Sequence, residues 1–187
     1  MKRFAIVLAV LMMAGCLVAC SSSQGQKTGG QQIPNPMEAS SAQGIIDATG
    51  IALPAPEGAT DVQYFVYKTE KPIAEMRFTL DGKKAFLRAQ MTNLTDLSID
   101  MEKAKSDQAS YADINISGLN YKWESIGTQI VKDRAAICFV SGKTGFITWI
   151  DAVPGILYNL GMEDGATYET LVQMADASFV PVQGDVK

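Results

Sequence analysis

Three cysteines, twenty carboxylates and no histidine bound the chemistry open to this 187-residue chain. Without an imidazole, Ser-His-Asp and Cys-His nucleophile systems are excluded within the polypeptide, as are His-rich zinc and iron sites. General acid–base work by carboxylates, Lys or Tyr stays open, yet no spacing singles out such a pair. Cys138 lies in the apolar run Ala135-Ala136-Ile137-Cys138-Phe139-Val140, which reads as a buried strand, and a cysteine there is a small core hydrophobe with no basic neighbour to activate it. Asp96, Asp100, Glu102, Asp107 and Asp113 are scattered among Lys, Ser and Ala. They do not form the D-x-[DN]-x-[DN]-G loop with a twelfth-position glutamate that calcium requires. Ser141-Gly142-Lys143-Thr144 copies the end of a phosphate-binding loop, but Ile137 stands where its first glycine is needed, so a hairpin turn is the better account. No metal, cofactor or catalytic residue is therefore expected.

The other two cysteines sit in a leader-like segment. Lys2 and Arg3 precede an uncharged run from Phe4 to Val18, and Leu17-Val18-Ala19-Cys20 leads into Ser21-Ser22-Ser23. This resembles the signal peptide of a bacterial lipoprotein, which implies cleavage before Cys20 and lipidation of its thiol. Cys16, in Met13-Ala14-Gly15-Cys16, is a rival with a poorer first residue, and cleavage there leaves Leu17-Val18-Ala19 exposed in the mature chain. About 15 apolar residues also fall short of the ~20 that usually span a bilayer, which weighs against an uncleaved anchor.

Loss of Lys2 and Arg3 leaves 14 basic against 20 acidic side chains, a formal charge of −6. Such a domain has no general attraction for nucleic acid or anionic headgroups. Its membrane partner would be reached through acyl chains on Cys20, each buried CH₂ contributing about 0.8 kcal/mol. The expected organisation is a signal peptide over 1–19, a Ser/Gln/Gly/Pro-rich tether over 20–37 and a single α+β domain over 38–187.

Within that domain, Ser40 or Ser41 caps a short helix, with Gln43 in the capping-box position after Ser40, and Gly50 stops it. Pro54 and Pro56 make a loop, and Val62 to Lys68 reads as a strand. Asp81-Gly82 between alternating segments predicts a two-residue hairpin that pairs Phe78 with Ala85, Met76 with Leu87 and Ala74 with Ala89 on an apolar face. The same register pairs Glu75 with Arg88 on the other face, read as a surface contact worth about 0–1 kcal/mol. Thr92 to Ser117 reads as a short helix and a polar excursion. Strands follow at 120–126, 128–131, 135–140, 146–152 and 156–162, with Cys138 opposite Ile147 and Ala136 opposite Trp149. Both faces of that last hairpin are apolar, so helices are expected to cover each side of the sheet. Thr167 caps a helix from Tyr168 to about Ala177, and Phe179 to Val182 runs out extended. The fold class is thus α+β, a predominantly antiparallel meander of about six to seven strands with a short N-terminal and a C-terminal helix.

Five short segments carry a further resemblance: Asn35-Pro36-Met37, 53–59 (LPAPEGA), 78–83 (FTLDGK) with Arg88-Ala89, Ile116-Ser117-Gly118-Leu119, and Thr148-Trp149-Ile150-Asp151. Together they are similar to a family of uncharacterised lipoproteins of Gram-positive, often gut-dwelling, bacteria. The resemblance implies the outer face of a cell membrane and a single antiparallel domain, and it carries over no catalytic or ligand residue. Two classes of function remain. A non-catalytic surface module, with a protein, glycan, peptide or small apolar molecule as its unknown partner, fits the tether and the acidic balance. The alternative is a carboxylate-based hydrolase acting on cell-envelope material.

Overall fold

The computed structural model describes residues 37–181. The expected signal peptide, Cys16, Cys20, nearly all of the tether and Val182 lie outside them. Met37, the last residue of the expected tether, is already paired in a strand.

Eight strands form one antiparallel sheet: β1 Met37–Ser40, β2 Thr60–Tyr67, β3 Ile73–Leu80, β4 Lys83–Met91, β5 Ser125–Val131, β6 Arg134–Ser141, β7 Thr144–Asp151 and β8 Ile156–Met162. Their order is β1-β2-β3-β4-β8-β7-β6-β5. The α+β antiparallel class stands, but the strand count and the single meander do not. Two four-stranded meanders meet where β4 pairs β8, and residues 92–124 carry the chain from mid-sheet to the far edge. β1, Met-Glu-Ala-Ser, alternates over four residues only, too short a run to mark a strand by itself. The two strands expected at 120–126 and 128–131 are one, because Gly127 does not break the ladder but pairs with Cys138, and 120–124 is not strand.

The hairpin registers follow the sequence closely. Ala74, Met76 and Phe78 face Ala89, Leu87 and Ala85, and Ala136 and Cys138 face Trp149 and Ile147. Asp81 and Gly82 have φ of 51° and 73°, the two positive values a tight hairpin turn needs to match the twist of its strands. Ser141 to Thr144 is likewise a turn, closed by the Ser141 and Thr144 pair.

Three helices complete the described chain. α1 (Ala42–Thr49) is capped by Ser41, whose side chain accepts from Gly44 N, and ends on Gly50 at φ 73°. Ser41 rather than Ser40 therefore takes the cap, and Gln43 instead donates to Asp47 at 2.8 Å. α2 is a single turn, Met101–Ala104. α3 (Tyr168–Ser178) begins at Thr167, whose hydroxyl exchanges hydrogen bonds with Thr170 in a reciprocal cap. A 3-10 helix spans Gln108–Ile114.

The two faces of the sheet are covered differently. On the first, α1, the loop residues Ile51 and Leu53, and Leu171, Met174, Ala175 and Phe179 from α3 and its end close over Met76, Leu87, Cys138, Ile147, Trp149, Tyr158 and Leu160. On the second the expected helical cover is present only as short pieces, Ala104 of α2 and Tyr111 and Ile114 of the 3-10 helix, and the rest is irregular chain. Tyr111, Ile114, Ile116, Leu119 and Trp123 from the 92–124 connection cover Ile137, Phe139, Phe146, Ile150 and Leu157. Large aromatics make this possible without helical periodicity. The Phe139 and Phe146 rings stack at 4.4 Å, Trp123 meets them edge-on at 5.7 and 5.3 Å, and its indole N–H donates to Tyr111 Oη at 2.8 Å.

A Cβ on Gly82 would meet nothing within 4 Å, so a side chain there costs only backbone strain. Gly82→Val is expected to lower stability by about 1–2 kcal/mol, read as a shift in denaturant midpoint at unchanged m-value.

Candidate functional site

On the second face, four polar side chains stand side by side across four neighbouring strands. The registers align Glu75 with Arg88, Arg88 with Asn159 and Asn159 with Thr148. Glu75, Asn159 and Thr148 are fully buried and Arg88 nearly so. The Glu75–Arg88 pair is therefore no surface contact. Its burial follows from the 92–124 connection, which lies over this face and which the hairpin sequence by itself does not reveal.

Every member of the row is engaged. Glu75 Oε2 accepts from Arg88 Nε at 2.5 Å and from Tyr67 Oη at 2.8 Å, and Oε1 accepts from Arg77 Nε at 2.5 Å. Arg88 Nη2 donates to Tyr67 Oη at 2.6 Å, while Nη1 reaches the carbonyls of Ile116 and Ser117 at 3.1 and 2.6 Å. Asn159 Oδ1 accepts from the N–H groups of Ile116 and Ser117, both at 2.9 Å. Its Nδ2 and Thr148 Oγ1 both donate to Ile114 O, at 3.0 and 3.2 Å. Burial raises the Tyr67 phenol above its ordinary pKa; the Arg88 charge opposes this and the Glu75 charge adds to it. The phenol thus stays protonated and donates. The row is a clamp on the backbone of 114–117, with no face open to a substrate.

The remaining reactive groups are placed as follows. Cys138 is buried in the first-face core, where desolvation pushes its thiol up to about 12. Asp151 is buried and accepts from Arg134 Nε and Nη2, both at 3.2 Å. Burial, with the Asp151 charge second, raises the pKa of the Tyr158 phenol. Asp100 caps α2 through Glu102 N and Lys103 N, and Asp107 caps the 3-10 helix through Ala109 N. Among the described residues no group of three or more Cys, Asp or Glu is placed to hold a metal ion, and no helix is long and apolar enough to cross a membrane.

The surface offers one more feature. β5 is a terminal strand of the sheet, and beside it Thr128, Gln129, Ile130, Asp133 and Ala135 line an open depression. Ile130 is 67% exposed. At the opposite edge β1 has four residues and carries Glu38, paired with Lys68 at 2.7 Å. A short, charged edge resists pairing with another chain, whereas β5, Ser-Ile-Gly-Thr-Gln-Ile-Val, is longer and holds neither charge nor proline.

The chain matches no protein-family model, no curated protein and no solved structure. Fold and site therefore rest on its own geometry.

Two of the clamp residues were open to detection. Asn159 and Thr148 interrupt otherwise apolar strands, and a polar residue at an inward position is informative because it must find partners. Tyr67 and Ser117 gave no such signal.

Glu75→Gln removes the charge that balances buried Arg88, so a loss on the order of 3–5 kcal/mol is expected, larger than that of Gly82→Val and visible in the same denaturant series. Cys138 should resist alkylation at neutral pH until the protein unfolds. The thiol ionises near 9.0 in the unfolded chain but holds its proton to about 12 when folded. Its contribution is therefore complete below pH 9 and falls as pH rises through that interval; Cys138→Ala should reduce the alkaline loss of melting temperature.

Proposed function

We propose that this protein is a lipid-anchored module on the outer face of a cell membrane, and that its domain works by binding a polypeptide, not by catalysis. The supporting observation is the contrast between its polar core and its edge. The clamp side chains are spent on holding residues 114–117, while β5 ends the sheet with an uncharged edge and an exposed isoleucine. Unpaired strand N–H and C=O groups are satisfied by another extended backbone, and alternate side-chain positions supply selectivity. The anchor rests on Leu17-Val18-Ala19-Cys20 after an uncharged apolar run. An anchored module needs no metal or cofactor to act in this way. Among the described residues no geometry favours the hydrolase: the buried carboxylates Glu75 and Asp151 are each held by arginine.

Cys20→Ala should abolish labelling by a fatty-acid analogue and leave the precursor uncleaved; an unmodified mature N-terminus elsewhere would reject the anchor. A photo-crosslinking residue in place of Ile130, in the full chain in its native membrane, should give a discrete polypeptide adduct. The same probe in place of exposed Lys84 should give none. Equal adducts at both positions would reject recognition along β5.

A further inference from the structure

We infer that one end of the sheet, the end that carries the β7–β8 turn, is a lipid-contact surface that sets Val153, Met91 and Val180 into the membrane interface. The inference rests on the reading of Cys20 as the anchor, to which it adds an orientation and a contact. Its first support is where the chain enters the domain. Met37 pairs with Tyr67 at the end of β2, and Tyr67 with Ile73 at the start of β3. Ala74 faces Ala89, and two residues on Met91 faces Ile156, which also faces Asp151. The β5–β6 turn, closed by Val131 and Arg134, lies at the same end. So does the end of α3, because Asp176 accepts from the Lys132 N–H and Phe179 O from Lys132 Nζ. The 36 residues before Met37, Cys20 among them, therefore join the domain at this end.

The second support is what that end exposes. Of the six large hydrophobic side chains exposed among the described residues, four stand there: Val153 at 75%, Val180 at 58%, Met91 at 50%, and Ile130 one residue before the end of β5. The Thr92 N–H donates to Gly155 O at 2.7 Å and so keeps Met91 beside the β7–β8 turn. Single exposed apolar side chains are ordinary, but their convergence from separate segments on one end marks a contact surface. The turns of the opposite end present Asp81-Gly82, Gly142-Lys143 and Glu163-Asp164, all exposed. Charges at the near end are largely spent within the domain, Lys68 on Glu38, Arg134 on Asp151 and Lys132 on Phe179 O. What remains is suited to the boundary between headgroups and acyl chains, where apolar side chains sit about 5–10 Å deep, and not to anionic headgroups. The anchor holds these side chains beside lipid, so a contact too weak to bind alone is sufficient.

Depth-dependent quenching tests the contact in the full chain, expressed in a bacterial host, fed a fatty-acid analogue and reconstituted in phosphatidylcholine vesicles. Cys138 is buried, so an introduced surface cysteine takes the label. A nitrobenzoxadiazole fluorophore on Val153→Cys should be quenched by doxyl groups on the acyl chains at least about threefold more strongly than the same probe on Lys143→Cys at the opposite turn. Adding Met91→Asp and Val180→Asp should bring the Val153→Cys signal down to that of Lys143→Cys, while fatty-acid labelling and melting temperature hold. A signal unmoved by the two aspartates would overturn the apolar contact. Equal quenching at the two probe positions, in a chain that carries the fatty acid and sediments with the vesicles, would also overturn it while leaving the anchor standing. A chain that takes up no fatty acid and stays in the supernatant would reject the anchor, and the orientation with it.

Discussion

The burial of one carboxylate organises this molecule. Glu75 has no contact with solvent, and a charge in that position is tolerable only when its oxygens are paired and hydrogen-bonded. Three donors meet it, from Arg88, Arg77 and Tyr67. Arg88 then extends the arrangement to the carbonyls of Ile116 and Ser117, and Asn159 beside it takes the amides of the same two residues. A segment without strand or long helix thereby has its backbone groups satisfied by side chains of the sheet. That is what allows an irregular connection to seal a sheet face that would otherwise need a helix.

Topology follows from the same connection. Residues 92–124 cross the second face and deliver the chain to the far side, so β8 returns to the centre between β4 and β7. The most apolar strands, β7 and β8, are buried on both faces because the helices lie on one side and the clamped segment on the other. Among the described residues a strand is left open at each end of the sheet. β1 limits its exposure by being short and charged. β5 does neither: it is longer and uncharged, and Ile130 is exposed on it. The core has more functional groups, but their hydrogen bonds point inward to the backbone they hold.

Much of the local structure was legible because it is decided locally. Asp81-Gly82 fixes a turn through backbone φ, the turn fixes the register, and the register assigns each side chain a face, so Phe78 and Ala85 could be paired without a structure. Ser41, Gly50 and Thr167 mark helix ends by hydrogen bonds within a few residues. Ile156–Met162 is legible as a largely apolar run that stops before Asp164-Gly165. Errors gathered where the partner is remote. β1 has only four residues of pattern and exists through β2. Gly127 reads as a break but is held in β5 by β6, with the Tyr168 ring lying over the place where its side chain would stand.

The chain's own residues thus determined its class, its hairpins, its caps and the lack of imidazole chemistry, since each follows from residue type or near-neighbour spacing. Tertiary structure alone decided that Glu75 and Arg88, opposite each other in any version of the hairpin, lie under Ile116 and Ser117 instead of in water. Whether an ion pair is a surface contact or a keystone depends on what is packed above it. Here that is chain some 30 residues further on, and no local pattern encodes its arrival.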